Sequence, residues 1–354
     1  MERKLASIQT VKEVKPIFHP LDGAETSLEL VTFENIGWQC VAKRGEFKAG
    51  DKAVYIEISS IVPEHHVFEF LRTRKFKVKT IRLLGVLSQG LALPVSVIHQ
   101  FSSAFEGLSD EGWIDGADVT NILGVKRPEQ VENFKIAGSG RISTFPTDIV
   151  PKTDEIRIQS MPHILAELVD IEDVVATLKI DGTSATYFYD TDKGAVRVCS
   201  RNMEKMEDDG SVYFLVMKKY PQIEDMLREN PEFVLQGEIA APGIQKNRLG
   251  VKDVEFFGFN IFNRWSGQYE SQYNLEYILD SYCIPRVTVV YHWRHFNETI
   301  ESLLELSKGF YEGTQNHREG LVLRPYYDER WSYLLGGRVS CKVINNDYLL
   351  AGGE

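Results

Sequence analysis

The chain has 354 residues, of which 26% are charged and 43% hydrophobic, as in a globular protein that folds in water. It has no run of 18 apolar residues, and its start, MERKLASIQTVKEVKPIF, lacks the apolar segment of a secretory signal, so we expect neither a membrane span nor export. The net charge of −11 argues mildly against nucleic acid as a partner, although affinity for phosphate follows local patches rather than the total.

The four cysteines are scattered along the chain and form no C-x-x-C pair. This spacing argues against a structural zinc site and against a disulfide framework. It favours a reducing compartment, so we expect a cytoplasmic protein.

Residues 1 to about 130 predict a small β-barrel or sandwich, because short alternating segments are separated by Gly, Pro and Asp. One such segment, RKFKVKTIRLLGVLSQGLALP, is predicted as a strand. A basic run, interrupted by Phe76, extends across its start and consists of Arg72, Arg74, Lys75, Lys77, Lys79 and Arg82. We interpret the run as a strand that follows a nucleic-acid backbone. The alternative is a solvated edge strand that resists aggregation.

The boundary between two domains is predicted in the loop-rich stretch 131–145. Beyond it, helices are predicted in PHILAELV, in GSVYFLVMKKYPQIEDMLREN and in NETIESLLELSKGFYEG. The last of these begins at Asn297, which is a good N-cap, and its leucines recur at helical spacing.

The tetrapeptide Lys179-Ile180-Asp181-Gly182 lies within VVATLKIDGTSATYFY. Residues with β-branched and aromatic side chains on both sides of the glycine predict a strand, a tight turn and a second strand. A lysine at such a turn can face a pocket, and an uncharged lysine attacks phosphorus or carbonyl carbon. The alternative is an exposed lysine beside an Asp-Gly hairpin turn.

Five further elements follow in order: Arg201 in SRN, Glu238 in LQGEIA, Phe259 in FFGFNIF, Glu319 in REGLVLRP and Lys342 in SCKVIN. With Lys179 they resemble the ordered motifs of the covalent nucleotidyltransferases, namely DNA ligases, RNA ligases and mRNA capping enzymes. The resemblance implies that a lysine attacks the α-phosphorus of ATP and forms lysyl-AMP. AMP then moves to a 5′-phosphate, and a 3′-hydroxyl displaces it.

In this scheme Lys179 is the nucleophile, and its pKa must fall from about 10.4 for it to attack. Nearby cations and a bound metal lower that pKa, whereas a carboxylate raises it, so Asp181 is a poor candidate for a base. By resemblance, Asp181 positions metal-bound waters or leaving groups. Its simplest alternative role is that of the turn residue before Gly182.

The remaining roles are also implied by the resemblance. Arg201 contacts phosphate or the substrate terminus, for which the arginine fork is suited. Glu238 accepts hydrogen bonds from the ribose and lies near the metal, Mg²⁺ or Mn²⁺, which Glu319 holds. Phe259 stacks on the adenine. Arg201 could instead be a surface residue, and Phe259 could belong to a core strand in which it shares one face with Phe257 while Phe256 lies on the other.

Lys342 resembles the lysine that neutralises the α-phosphate in the transition state. Here the chain departs from a common pattern, because many relatives have K-x-K and this chain has Ser340 at the first lysine position. Lys246 and Arg248, in GIQKNRLG, are candidates for supplying the missing charge.

Only 12 residues follow Lys342, so the C-terminal OB domain of DNA ligases and capping enzymes is expected to be absent. The additional module lies before the lysine domain, and FPTDIVPKTDEIRIQ resembles the segment that leads into the catalytic domain of RNA ligases. The whole chain therefore resembles ATP-dependent RNA ligases that have an N-terminal OB-like module.

The predicted fold class is α+β. Residues 1–130 form an OB-like β-barrel, 131–145 a linker, and 146–354 an adenylyltransferase domain of ATP-grasp-like antiparallel sheets with helices. We expect ATP and Mg²⁺ or Mn²⁺ as cofactors. The expected partner is RNA with nicked or broken ends, in a duplex or an RNA/DNA hybrid, and we expect a monomer without membrane contact. The alternatives are a DNA ligase, or a non-catalytic nucleic-acid-binding protein with a degenerate ligase domain. The intact lysines and glutamates argue against the second alternative.

Overall fold

A computed structural model describes residues 3–102, 112–128, 142–205 and 210–353. The chain divides into two compact units. Unit 1 comprises residues 1–138, 158–163 and 349–354, and unit 2 comprises residues 139–157 and 164–348. In the part of the chain that the structure describes, no helix is both long and apolar enough to cross a membrane. Most of the predicted linker falls on residues 129–141, which lie outside the described residues.

Unit 1 is built on a five-stranded antiparallel sheet in the order β3-β2-β1-β4-β9. Two strand pairs, β5-β6 and β7-β8, complete the unit. Its strands are β1 (Ala6–Phe18), β2 (Glu25–Phe33), β3 (Gln39–Lys43), β4 (Lys52–Ile56), β5 (Ser60–Ile61), β6 (Lys77–Val78), β7 (Thr80–Leu83), β8 (Val86–Gln89) and β9 (Leu91–Pro94). Its short 3-10 helices are His66–Arg74, Val95–Gln100 and Ile158–Ser160.

The sheet of unit 1 curls because β8 is joined to one edge strand and leads directly into the other. The backbone N–H of Val41 in β3 donates to the Ser88 hydroxyl in β8 (3.0 Å). Between β8 and β9 stands Gly90, with φ +105°, where a Cβ would lie 2.7 Å from the Ile56 carbonyl oxygen. Only glycine allows this turn against the sheet. The predicted OB-like barrel is confirmed.

The prediction that the basic run belongs to one strand is wrong. Its first residues end the 3-10 helix His66–Arg74, whose Phe68 and Leu71 are buried. Lys75 and Phe76 then adopt left-handed backbone conformations, with φ 53° and 57°. The chain returns to extended structure only in β6 and β7. The helix forms because burying two apolar side chains one turn apart outweighs the weak alternation that follows them.

The segment 158–163 belongs to unit 1 through two side chains of the barrel. The indole N–H of Trp38 donates to the Ser160 hydroxyl (3.1 Å), and that hydroxyl donates to the Glu57 carboxylate (2.6 Å). Trp38 and Glu57 are both buried, so these bonds satisfy polar groups that water does not reach.

Unit 2 contains a seven-stranded sheet, β10-β15-β14-β13-β16-β17-β18, and a five-stranded sheet, β11-β23-β20-β12-β19. All described pairs in these sheets are antiparallel except β11 with β23. The strands are β10 (Ile142–Thr144), β11 (Ile156–Arg157), β12 (Val174–Lys179), β13 (Thr183–Asp190), β14 (Ala195–Ser200), β15 (Met203–Lys205), β16 (Phe233–Ala240), β17 (Glu255–Asn263), β18 (Gln268–Tyr269), β19 (Val289–Trp293), β20 (Gly320–Pro325), β21 (Trp331–Ser332), β22 (Gly337–Arg338) and β23 (Cys341–Ile344).

The α-helices are α1 (Ile164–Val169), α2 (Val212–Lys219), α3 (Gln222–Glu229), α4 (Gln272–Ser281), α5 (Ile300–Ser307) and α6 (Asn346–Leu350). The helical segment predicted at 210–230 is two helices, because Pro221 interrupts it and disfavours helix at the preceding residue. Asn297 is not the N-cap of α5. Thr299 is, and it forms a capping box with Ser302.

The core of unit 2 fixes which face of the seven-stranded sheet remains available for a site. Helices α2, α3 and α4 cover one face, where Phe256 and Ile239 are buried. Because side chains alternate along a strand, Glu238 and Phe257, which are directly opposite each other in β16 and β17, belong to the other face. Phe259 is half-buried and lies at a bulge, where β17 has one residue more than β16 between Gly258 and Asn260.

Candidate active site

Lys179 is the last residue of β12, and its neighbour across the sheet is Gly320, the first residue of β20. On its other side, β20 approaches β23 so closely that a Cβ on Gly320 would lie 2.0 Å from the Val343 carbonyl oxygen, and the φ of Gly320 is +150°. Glu319 immediately precedes this glycine. Its carboxylate lies 2.9 Å from the Lys179 Nζ. The register of two central strands thus holds the predicted nucleophile against the predicted metal ligand.

The turn after Lys179 brings Glu238 to the same place. A Cβ on Gly182 would lie 2.3 Å from the Ile239 carbonyl oxygen and 2.9 Å from the Glu238 Cγ, so only glycine fits. From this turn β13 runs antiparallel to β16, with Ser184 opposite Glu238. Gly182 of the motif therefore allows the turn to lie close to β16, and this brings a second glutamate, Glu238, beside the lysine.

Tyr311 ties these segments together, and the sequence analysis did not identify it. Its hydroxyl donates to the Lys179 carbonyl (2.9 Å) and accepts from the backbone N–H groups of Asp181 (3.0 Å) and Glu319 (3.1 Å). The ring is buried, so the three bonds are shielded from water. No motif marks this position, because a lone tyrosine before an R-E-G sequence has no characteristic spacing.

Asp181 is held by two further residues. The guanidinium of Arg248 lies 3.3 Å from its carboxylate, and the Tyr348 hydroxyl bonds to it as well. Arg248 also lies over the Tyr348 ring, 4.4 Å from its centroid. Arg248, considered above as a substitute for a missing lysine, is thus a buried partner of Asp181, whereas Lys246 is exposed.

Three carboxylates surround Lys179, and one of them, Asp181, is also paired with Arg248. Burial lowers the pKa of Lys179, but the charges of Glu319 and Glu238 outweigh it and raise that pKa above its ordinary value. Burial, together with the charge of Glu319, raises the pKa of Glu238 to about 8 against the attraction of Lys179. Burial and Glu319 also raise the pKa of Asp181. The expectation that the surroundings lower the lysine pKa is therefore not met by the protein residues alone.

Arg201 and Lys342 complete the predicted set. Arg201 forms an ion pair with Asp154, and its positive charge opposes the rise in the Glu238 pKa. Lys342 is half-buried in β23, opposite Val322 of β20, the strand that begins just after the metal-ligand candidate. Lys342 therefore belongs to the sheet that carries Lys179, whereas Arg201 lies in the turn between β14 and β15 of the other sheet.

Ser340 lies in a buried network that the sequence analysis missed. Its hydroxyl accepts from Arg324 Nε (3.2 Å), and Arg324 also donates to the Phe259 carbonyl (2.6 Å) and to Glu155 (3.0 Å). Glu155 binds Arg338 as well (2.9 Å). Burial lowers the pKa of Arg324 to about 10, so it stays charged near neutral pH. The guanidinium of Arg324 thus lies against the residue at which the sequence lacks a lysine, and Glu155 links it to Arg338.

Comparison with known proteins agrees with this geometry. Residues 172–344 match the RNA ligase family model, and residues 5–95 match a model described as an OB-fold domain. The structure is similar to Naegleria gruberi RNA ligase with PPi, with a TM-score of 0.79 and 29% identity over 98% of both chains. For a mutant of that enzyme with ATP and Mn the TM-score is 0.78, with 30% identity over 98% of both chains. A mutant with AMP and Mn gives 0.79, again with 30% identity over 98% of both.

The chain belongs to the RNA ligase family. No match was found among curated proteins. The predicted family and the predicted α+β fold class, an OB-fold module followed by a ligase domain, are confirmed.

The acidic residues around Lys179 in this RNA ligase fit a divalent cation that also binds a nucleotide. In the described residues, no three His, Cys, Asp or Glu side chains are arranged as a closed metal cage. Mg²⁺, however, takes only one or two carboxylates when phosphate oxygens and waters supply the rest. Burial and the neighbouring charge of Glu319 raise the pKa values of Glu238 and Asp181, and a bound cation would oppose both effects.

Proposed function

We propose that this RNA ligase is ATP-dependent and joins 3′-hydroxyl and 5′-phosphate ends of RNA through lysyl-AMP and adenylylated RNA. The observation that carries the proposal is the position of Lys179, whose Nζ lies 2.9 Å from Glu319 within a buried acidic cluster at the ends of two central strands. Such a cluster keeps the lysine in one place and charged until a ligand changes the electrostatics.

In the first step the Lys179 Nζ gives up a proton and forms a bond to the α-phosphorus of ATP, and the bond to pyrophosphate breaks. In the second, an oxygen of the RNA 5′-phosphate attacks the same phosphorus and lysine leaves. In the third, the RNA 3′-hydroxyl attacks the activated 5′-phosphate, AMP leaves and the phosphodiester forms. Mg²⁺ or Mn²⁺ held by Glu319 and Glu238 would neutralise the triphosphate and draw the carboxylates away from the lysine.

The other site residues orient the nucleotide in this proposal. Phe259, at the bulge of β17, stacks on adenine. Arg201 binds a phosphate of the RNA terminus, and Lys342 stabilises the charge on the α-phosphate. Arg324 replaces the missing lysine at the level of Ser340, with which its Nε forms a hydrogen bond.

Asp181 has a positioning role in this proposal, which depends on the turn between β12 and β13. It is paired with Arg248 and fixed by the Tyr311 hydroxyl, so its carboxylate is positioned to hold a metal-bound water rather than to take the lysine proton. Its raised pKa follows from burial beside Glu319, and this makes it a better hydrogen-bonding group than a free carboxylate at the same pH.

The two predicted domains divide the labour. Residues 146–354 carry the chemistry, and residues 1–130 bind RNA, with a linker over 131–145. The binding residues proposed from the basic run are Arg72, Arg74, Lys75, Lys77, Lys79 and Arg82. Arg72 is the weakest of these, because it already pairs with Glu64 and Glu69. We further propose a cytoplasmic monomer that repairs nicked or broken RNA, on the basis of the cysteine spacing and the order of the motifs.

The test is labelling with ATP that carries a radioactive α-phosphate, followed by sealing of nicked RNA. Lys179→Ala and Lys179→Arg should form no covalent AMP adduct and seal nothing, because neither side chain supplies a neutral amine. Lys193→Ala, an exposed lysine of the same unit, is the matched control and should label like the wild type. Full labelling of Lys179→Ala would overturn the assignment.

Glu319→Ala separates a metal role from a structural one. The side chain is buried and paired with Lys179, but removing it relieves an acidic cluster, so we expect a nearly unchanged melting temperature and lost activity. A large drop in melting temperature with retained labelling would favour a structural role.

Two alternatives have distinct outcomes. A DNA ligase would seal nicks with DNA on both sides of the break as well as it seals RNA, so RNA and DNA should be placed separately on each side. A binding protein with a degenerate ligase domain would show no covalent label at all.

A further inference from the structure

A short segment of unit 2, residues 151–155, lies against the face of the seven-stranded sheet that carries Glu238. We call it the entry segment. The hydroxyls of Thr153 and Ser184 are 3.1 Å apart, and Ser184 is directly opposite Glu238 in the register of β13 and β16. Residues that are directly opposite each other in an antiparallel pair share a face of the sheet. The entry segment therefore lies on the face that holds the proposed active site.

The entry segment is fixed on both sides of Asp154. Before it, Thr153 forms the hydroxyl contact just described. After it, the Glu155 carboxylate accepts hydrogen bonds from Arg324 (3.0 Å) and Arg338 (2.9 Å). Both arginine side chains are largely buried, so water competes little for these bonds. The backbone of Asp154 is therefore held in place by its neighbours, although its own side chain is exposed.

The Asp154 carboxylate binds a candidate site residue. Its Oδ1 accepts from Arg201 Nη2 at 2.5 Å, and both side chains are about half exposed, at 44% and 45%. Arg201 lies in the turn between β14 and β15, and its charge acts on Glu238. An ion pair with this exposure contributes little to stability. The contact instead connects a long side chain on a turn to a segment that is fixed beside the active site.

We propose that Asp154 is a positioning residue that directs Arg201 toward the 5′-phosphate of the RNA end. The inference rests on the proposed function, in which Arg201 binds that phosphate. The N–H donors of a guanidinium lie in one rigid plane, so a bond through Nη2 sets the direction of the others. Holding the side chain before RNA arrives reduces the conformational entropy that binding must remove.

A carboxylate beside a phosphate site also repels phosphate, and the sign of the effect separates the two roles. If Asp154 only neutralised Arg201, Asp154→Ala and Asp154→Asn should both strengthen binding of a 5′-phosphate. If it positions Arg201, Asp154→Ala should weaken that binding. Asp154→Asn should retain most of it, because its amide oxygen still accepts from the guanidinium. Asp148→Ala, at an exposed aspartate of the same unit, is the control.

The measurement is equilibrium binding of a fluorescent nicked RNA duplex that carries either a 5′-phosphate or a 5′-hydroxyl at the nick, without ATP. The ratio of the two affinities isolates the contact with the phosphate. Asp154→Ala should lower the preference for phosphate about tenfold, the size expected when binding must order an arginine side chain. Binding of the 5′-hydroxyl duplex and the melting temperature should stay unchanged, and Asp148→Ala should match the wild type in all three measurements.

A double-mutant cycle with Arg201→Ala shows whether Asp154 acts through the arginine. Arg201→Ala should also reduce the preference, and adding Asp154→Ala to it should change nothing further. The proposal is wrong if the two effects add, or if Asp154→Ala binds the 5′-phosphate duplex as tightly as the wild type or more tightly. Equal weakening toward both duplexes together with a lower melting temperature would also overturn it, because Asp154 would then have a structural role.

Lysyl-AMP formation by the same samples distinguishes this proposal from the proposed function. If Asp154→Ala removes the preference for phosphate but the wild type never forms lysyl-AMP, the ATP-dependent mechanism is wrong and the role of Asp154 stands. If the wild type forms lysyl-AMP but its preference for phosphate is unaffected by Asp154→Ala, the mechanism stands and the positioning role is wrong.

Discussion

Replacing Glu238 by Gln should stabilise the ligand-free protein while it removes AMP transfer. Burial, together with the charge of Glu319, raises the pKa of Glu238 from 4.5 to about 8 in the folded state. Glutamine keeps the shape of the side chain and carries no charge. The variant therefore removes the cost of an ionised carboxylate in this cluster and leaves the packing in place.

The sign and size of the effect follow from proton linkage. Because folding raises the pKa, the unfolded chain releases the proton first, and the carboxyl destabilises the fold as pH rises from 4.5 to 8. At about 1.36 kcal/mol for each pKa unit, the cost is under about 1 kcal/mol at pH 5 and reaches about 3 kcal/mol at pH 7. Above pH 8 it levels off at about 5 kcal/mol.

Calorimetric melting of wild type and Glu238→Gln from pH 5 to pH 8 measures this. For a unit of this size about 1 kcal/mol moves the melting temperature by roughly 2–4 °C, so the variant should melt about 6–12 °C higher at pH 7. The melting temperatures of the wild type and the variant should nearly coincide at pH 5. Glu312→Gln, at an exposed position, is the control and should show no such trend. A difference that stays constant with pH, or a variant that melts lower throughout, would refute the reasoning.

Three further substitutions test the site in other ways. Tyr311→Phe leaves two buried backbone N–H groups without their acceptor. In urea unfolding it should lower the free energy of unfolding by about 2 kcal/mol, and in labelling assays it should slow lysyl-AMP formation. The control Tyr291→Phe, whose hydroxyl makes only a 3.5 Å contact, should change neither quantity. Phe259→Ala should raise the KM for ATP about tenfold in labelling kinetics, and a larger rise for Phe257→Ala would assign the stacking ring to that residue. Arg324→Met breaks a buried ion pair and should cost about 3 kcal/mol in urea unfolding, and an unchanged midpoint would show that the pair contributes no net stability.

The sequence located Lys179, the proposed nucleophile, because its motif is dictated by local geometry. A strand, a turn that only glycine allows and a second strand leave a recognisable pattern in the chain around Gly182. Glu319 could be found for the same reason, since it precedes Gly320, where β20 comes too close to β23 for any side chain. Backbone requirements of this kind can be recognised from the sequence because they involve only a few adjacent residues.

The contacts that set the charge of the site join residues that are far apart in the sequence. Arg324 and Glu155 are 169 residues apart in the chain, and Tyr311 is 132 residues from the carbonyl to which it donates. The sequence around each of these residues contains no pattern that predicts its partner. The basic run was misread as a strand because alternation in a short basic stretch outweighed the two buried apolar residues before it, Phe68 and Leu71. Helix α4 was missed although Ser271 is a good N-cap, because its apolar residues are interrupted by tyrosines.

In the proposed mechanism, the position of Lys179 means that the nucleophile becomes reactive only after its ligands bind. Its ammonium group is the positive charge paired with Glu319 at the centre of three carboxylates, and those carboxylates hold the proton on. The lysine can become a neutral amine only when another cation takes over its role toward Glu319 and Glu238. A nucleotide that arrives with such a cation brings both the electrophile and the charge that releases the proton. In this mechanism the acidic cluster therefore couples activation of Lys179 to the presence of the phosphorus that it attacks.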